Sequence, residues 1–380
     1  MTDFAAARGN RLTNTDMSGT DAYSYDVYQQ LAKALHPDQP EEDYAYDGVG
    51  NRLNGSGLNY TYSADNRMLT KDINKYSYDA NGNTISKTDA SGVTSYQFDF
   101  ENRLIKAVMP NNTVAQYKYD ALGRRIEKNV NGVIKKYLYD GYNILAEYDN
   151  NGNQVARYTQ NLAIDDPLAM ARGGSVHYYH KDALGSITAM TDVNGQVAQT
   201  YEYDSFGNIA NQTGNIENPF TYTGREYDAE TGLYFYRARY YDARAGRFIN
   251  EDPIGVKGGM NLYCYVKDGP IIKKDAFGLM QCKTNNDDCF ECDVDTLPCA
   301  LGVSSACADA IRKCGLCYER KHGCMNCHSS TPGDPLYTVP MPWWLPTDDN
   351  SYTDDTNYDE PEEDEPEYDE PEQEQELRNQ

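Results

Sequence analysis

Tryptophan and histidine are nearly missing, with 2 and 5 residues in a chain of 380. His36, His177, His180, His322 and His328 show no spacing to a serine or cysteine that would build a catalytic triad. His177 and His180 straddle two tyrosines on an expected strand, which suits packing or surface roles better than metal ligation. No stretch approaches the ~20 apolar residues of a membrane-spanning helix. The start, MTDFAAARGNRLTNTD, lacks the apolar segment of a classical export signal. A phosphate-binding glycine loop is also absent. The formal charge is -25 with no basic cluster, so a nucleic-acid partner for the scaffold is not expected.

Tyrosine is what the chain has in excess, 34 residues against 9 phenylalanines. Tyrosine with abundant Asn, Gly and Thr suits pleated strands and tight turns, so an all-β fold is expected. A phrase recurs: YAYDGVGNRL from Tyr44, YSYDANGNTI from Tyr76, YKYDALGRRI from Tyr117 and YEYDSFGNI from Tyr201. Weaker copies begin at Tyr60, Tyr96, Tyr137 and Tyr178. From Tyr46 through Tyr62, Tyr78, Phe98 and Tyr119 to Tyr139 the spacing is 16 to 21 residues.

One copy predicts one hairpin. Tyr-x-Tyr puts both rings on one face of a strand. The Asp starts a turn, and the Gly three residues on accepts a left-handed backbone. Arg-Leu or Asn-Ile then opens the return strand. A lone hairpin is marginal in water, so the units are expected to stack into a continuous ladder.

Residues 40–279 resemble the YD repeats and the RHS repeat-associated core, most strongly over Tyr222 to Leu279. GLYFYRARYYD, GRFINEDPIG and GGMNLYCYV carry that likeness. The resemblance implies a spiral antiparallel sheet forming a hollow shell, a core module closing one end, and a variable toxin-like segment behind it. With roughly ten units here, a curved open sheet is expected, its exposed edge prone to self-association. The expected division is 1–40 partial repeat or irregular, 41–221 YD-repeat scaffold, 222–279 core, 280–330 cysteine-rich module and 331–380 disordered acidic tail. Entry into repeat-like sequence at Gly9–Leu12 is what a piece of a longer polypeptide would show.

The resemblance also implies self-cleavage after the core, between Leu279 and Met280, by aspartates of two Asp-Pro-x-Gly phrases. The first is intact as Asp252-Pro253-Ile254-Gly255; the second reads Asp275-Ala276-Phe277-Gly278, without the proline. Ala243 likewise stands where the family has proline. Two carboxylates forced together do not both ionise easily, so one holds a proton while the other acts as base. Asp252 and Asp275 are the expected pair, with Arg247 to orient or hold one of them ionised. The competing reading is that both phrases are ordinary turns.

After Leu279 the composition changes. Nine of the ten cysteines fall between Cys282 and Cys327, eight of them in two C-x6-C-x2-C-x6-C frames starting at Cys282 and Cys307, with Cys327 adding a further C-x2-C pair with Cys324. Such frames suit zinc, with Cys314, Cys317, Cys324 and Cys327 as candidate ligands, or disulfides. The extracellular life implied by the resemblance favours disulfides and no bound cofactor. From Asp348 to Gln380 sixteen acidic residues face one basic residue, and so charged a segment cannot bury enough apolar surface to fold.

Two functions follow as expectations. One is a toxin-type protein that releases its own C-terminal segment, secreted or at the cell surface by a non-classical route or within a longer chain. The other is a non-enzymatic interaction protein whose tyrosine-rich strands meet protein partners or a target-cell surface.

Overall fold

The computed structural model describes residues 2–4, 9–15, 19–279 and 282–283. The tail, and with it all but the first of the two cysteine frames' residues, lies outside the described residues, as does Met280. The fold is all-β. A 22-stranded antiparallel meander runs from Thr2–Phe4 to Ile209–Thr213, each strand paired with its chain neighbours.

The turn at Asp47 shows how each unit is built. Asp47 Oδ1 accepts the N–H groups of Val49 and Asn51 at 3.0 and 2.8 Å. The Gly50 N–H donates to the Asp47 carbonyl at 3.1 Å, with Gly50 at φ +83. The carboxylate thus satisfies donors that the reversing chain leaves without ladder partners. The same bonds recur at Asp120 and Asp204. Gln29, Asn66 and Asn102 hold φ of 66, 60 and 60 where other units have glycine. The Gln29 turn follows Tyr23-Ser24-Tyr25-Asp26, so regular repeats begin well before residue 41. A non-glycine in the left-handed position hid that unit from the sequence pattern.

The two tyrosines of a unit do different work. The first ring goes inward: Tyr60, Tyr117, Tyr158 and Tyr201 are buried. At the second, the register shifts by a bulge, as at Ala45/Tyr46, Lys118/Tyr119 and Leu138/Tyr139. The bulge re-aims the side chain, and its hydroxyl donates to the carbonyl opening the preceding return strand. Tyr46 reaches Leu31 at 2.9 Å, Tyr62 reaches Arg52 at 2.8 Å and Tyr139 reaches Arg125 at 2.9 Å. Tyr25, Tyr78, Tyr119 and Tyr203 do likewise. Gln160 substitutes its amide, donating to the Ile144 carbonyl at 2.9 Å.

Inside this sheet sits the core module, a four-stranded sheet of Glu226–Asp228, Leu233–Tyr236, Arg239–Asp242 and Arg247–Phe248. Leu233–Tyr236 and Arg239–Asp242 are buried at every position, because repeat strands or core loops cover both faces. Repeat rings meet core rings along the wrap, for example Tyr117 with Tyr240 at 5.4 Å, Tyr203 with Tyr222 at 5.7 Å and Tyr78 with Tyr263 at 6.0 Å between centroids. The interior is therefore filled by the module's own aromatics. The ladder does not close into a barrel, as the repeat number predicts. Its seam is joined by side chains instead: Glu42 Oε1 accepts the Ser205 N–H at 3.1 Å, and Gln39 Nε2 donates to the Tyr203 carbonyl at 3.3 Å.

If the second tyrosine ties units together, Tyr139→Phe will lower stability by about 1–3 kcal/mol, the cost of leaving the buried Arg125 carbonyl unbonded. Tyr178→Phe, at a half-exposed ring, will change it little. Urea midpoints of the two variants beside the parent chain check this.

Candidate aspartate site

Asp252 and Asp275 lie 23 residues apart in sequence, yet one guanidinium bridges them, and it belongs to Arg239. Arg239 Nη2 is 2.9 Å from Asp252 Oδ2 and 3.5 Å from Asp275 Oδ2. Its Nη1 donates to the Leu262 carbonyl at 2.9 Å and its Nε to the Gly278 carbonyl. The guanidinium lies over the Phe248 ring, 3.6 Å from the centroid. All three residues are buried.

Asp275 Oδ1 accepts three consecutive backbone N–H groups: Phe277 at 3.2 Å, Gly278 at 2.8 Å and Leu279 at 3.2 Å. The carboxylate therefore grips the residue just before the expected scissile bond. Gly278 has φ +69, and a Cβ there would collide with the Tyr236 carbonyl oxygen. Asp252 Oδ1 accepts the Ile254 N–H at 3.0 Å, and Gly255 follows at φ +62. Both aspartates thus use the turn of the repeats, with the difference that here two such turns face each other in the interior.

The missing prolines leave this geometry standing. Ala276 and Ala243 are both buried, and the three N–H bonds to Asp275 fix the turn that proline would otherwise restrain. Arg237 adds a second clasp. It donates to the Ala276 carbonyl and to both oxygens of Asp165, at 2.7 Å for the nearer. Arg237 itself sits at φ +56, a left-handed turn residue that reverses the chain so that Arg239 follows on the next strand.

Arg247 goes elsewhere. It donates to the Asn66 carbonyl at 2.6 Å and lies over the rings of Tyr62 and Tyr263. The arginine placed between the two aspartates is Arg239, from the inner strand Arg239–Asp242. The two arginines of GLYFYRARYYD are what the sequence reading overlooked; arginines inside so apolar a phrase were the available signal, since a buried guanidinium demands acceptors. The described histidines stay apart from the site. His36 sits between Asp21 and Glu42 at 2.9 and 3.2 Å, and His180 pairs with Thr191. No group of three or more His, Cys, Asp or Glu among the described residues could hold a metal ion. His322, His328, Cys314, Cys317, Cys324 and Cys327 lie outside them.

Burial pushes the Asp252 carboxyl up to about 7; the negative charge of Asp275 adds to the shift, and Arg239 opposes it. Burial also raises Asp275, against Arg239 and the three backbone N–H groups. Asp252 therefore keeps its proton through mild acid, beside a second carboxyl that burial also pushes up. A cleft of about 270 Å³ leads from Arg239, Asp252 and Asp275 past Gly258 and Asn261 to Tyr28, so water has a route in.

A family model described as Teneurin YD-shell matches residues 8–260. The tRNA3(Ser)-specific nuclease WapA of Bacillus spizizenii is 35% identical over 289 residues, which are 71% of this chain and 10% of that protein. The double-stranded DNA deaminase toxin A of Burkholderia cenocepacia is 27% identical over 304 residues, 70% of this chain and 21% of its own length. Among solved structures, the Photorhabdus luminescens Tc holotoxin pore aligns with 75% of this chain and 19% of its own, at 18% identity and a TM-score of 0.42. The chain thus spans between a tenth and about a fifth of the two curated relatives.

The Asp252 shift fixes the sign of a pH effect. Between the unfolded value of ~3.9 and about 7, the folded chain keeps a proton that the unfolded chain has released. Stability contributed here therefore falls as pH rises through that window and levels off above it. Asp204, pushed up to about 7, and Asp268, up to about 6, act in the same direction. Asp252→Asn will flatten part of this decline, read as the difference between urea midpoints at pH 5 and pH 8.

Proposed function

The chain belongs to the Teneurin YD-shell family of RHS/YD-repeat proteins, and on that premise we propose that its core severs the chain after Leu279, releasing residues 280–380 as cargo. The observation that carries this reading is the pair of buried carboxylates bridged by Arg239, one of them bonded to the Leu279 amide. The ionised aspartate takes a proton from a water in the cleft. The water oxygen adds to the Leu279 carbonyl carbon while the neutral aspartate protonates the carbonyl oxygen. Collapse breaks the C–N bond to Met280, whose nitrogen leaves with a proton returned by the pair. The reaction runs once per chain.

The relatives' names, a nuclease and a deaminase toxin, support a delivered, toxin-type polypeptide as the setting. Its partners are then proteins or surfaces of a target cell. For the cysteine module we favour disulfides over zinc. A second reading keeps the chain whole, as a non-enzymatic interaction scaffold. In its favour, Asp252 and Asp275 bond their own turns much as the repeat aspartates do.

Intact mass of the freshly purified, denatured chain decides between them. The expected result is a species beginning at Met280, absent from Asp252→Asn and Asp275→Asn variants. A single full-length mass at pH 5 and pH 7 would sink self-cleavage and leave the scaffold reading. The same spectra, taken with and without reductant and chelator, count paired thiols and bound metal.

A further inference from the structure

The fifth residue after the turn aspartate opens each return strand, and in several units it is a buried aliphatic, as at Leu31, Leu104 and Ile187. Two units carry arginine there, Arg52 and Arg125, and both side chains are buried. Arg125 is matched by Glu226 at 2.8 Å and Asp228 at 2.5 Å. Arg52 has no such ion pair: among the described residues no carboxylate bonds it directly, and the buried Asp268 and Asp204 act on it only from farther off. Its guanidinium lies 3.9 Å from the Phe206 centroid and 4.5 Å from that of Tyr44, beside the Tyr46 hydroxyl. Its Nε is buried with no hydrogen-bond partner.

The surroundings are shaped to the guanidinium. A Cβ on Gly246 would strike its Nη2, and one on Gly55 would come within 3.0 Å of its Cδ. Arg52 lines a cavity of about 250 Å³ together with Lys71, Arg244, Ser56, Asn208 and Asp204. Lys71 Nζ donates to the Arg244 backbone carbonyl, which holds the Lys71 amine at this rim. Arg52 and Lys71 thus share this cavity with one carboxyl. That carboxyl, Asp204, is pushed up to about 7 by burial and by the charge of Glu42, with Arg52 opposing, so it is largely uncharged in mild acid. The volume exceeds several waters at ≈30 Å³ each, enough for a tetrahedral anion with part of its hydration.

We propose that this cavity binds a small oxyanion of the phosphate class, held by the buried Arg52 and closed over by Lys71 and Arg244. A guanidinium presents its donors in a planar fork that fits such oxygens. A buried cation lacking its counter-charge is also costly to keep, and an anion from solution removes that cost as glutamate and aspartate do for Arg125. The cavity is separate from the Asp252–Asp275 pair, so the proposal stands whether or not the chain cuts itself.

Calorimetric titration of inorganic phosphate into the full chain at pH 6, against potassium chloride at matched ionic strength, tests this. A saturable isotherm with one site per chain and no comparable heat from chloride is expected. Lys71→Ala and Arg244→Ala, both at the rim, should each weaken binding at least tenfold, and Arg52→Gln should abolish it. Should Arg52→Gln fail to fold, the rim variants still decide. Equal heats for phosphate and chloride, or unchanged phosphate affinity in the Lys71→Ala/Arg244→Ala double variant, overturn the proposal.

Discussion

The fold depends on an aromatic side chain that carries its own hydrogen-bond donor. Where each hairpin turns, the ladder has run out and the first carbonyl of the preceding return strand has no strand partner. A phenylalanine there would cover that carbonyl and leave it unbonded, at a cost of about 1–3 kcal/mol. The second tyrosine covers it and bonds it at once, as Tyr46 does for Leu31 and Tyr139 for Arg125. Repeated along the ladder, this requirement explains why the chain holds 34 tyrosines and only 9 phenylalanines. The aromatic excess is a record of backbone accounting as much as of hydrophobic burial.

The same rings also set what the sheet can enclose. Inward tyrosines form a wall that is apolar on its flat faces and polar at its tips, and the core module answers with rings of its own. Tyr234, Tyr236, Tyr241 and Tyr265 are wholly buried, and their hydroxyls reach carbonyls or one another, as Tyr234 does with Gly207 and Tyr241 with Phe206. Those two acceptors lie in the last repeat turn, beside the seam where Glu42 receives the Ser205 N–H. The module therefore fixes the far end of the sheet and brings it back against the near end without strand pairing.

How far the sequence foretold this follows from which contacts are local. Hairpin, turn and inward ring are local, so period-two tyrosines and Asp-x-x-Gly announced them. Units whose left-handed residue is Gln29 or Asn66 were fainter, since the backbone conformation is the same and only the residue that usually marks it has changed. The aspartate pair was legible through family likeness, because two similar turns far apart in sequence give no sign of facing each other. Arg239 was not legible: it approaches Asp252 and Asp275 from another strand, and Arg247 is nearer in sequence but satisfies Asn66. Sequence distance was a poor guide to which cation serves which carboxylate.

Charge balance separates the structural networks of the interior from its two unusual places. Arg125, Lys128, Arg225 and Arg237 are interlinked with Glu226, Asp228, Glu230 and Asp165, four cations with four carboxylates. Lys135 and Arg172 share Glu147 and Glu217, two with two. Networks of this kind neutralise themselves and need nothing from solution. The Asp252–Asp275 pair has two carboxylates on one guanidinium, so near neutrality it must either bury a net negative charge or retain a proton. Desolvation favours the proton, and a retained proton beside an ionised neighbour is the starting state of acid–base catalysis. Arg52 is the opposite case, a buried cation to which the described residues give no ion pair, with Asp268 and Asp204 acting on it from farther off. The two sites differ in sign but arise by one rule: where buried charge is left uneven, the interior must exchange a proton or an ion with the solvent.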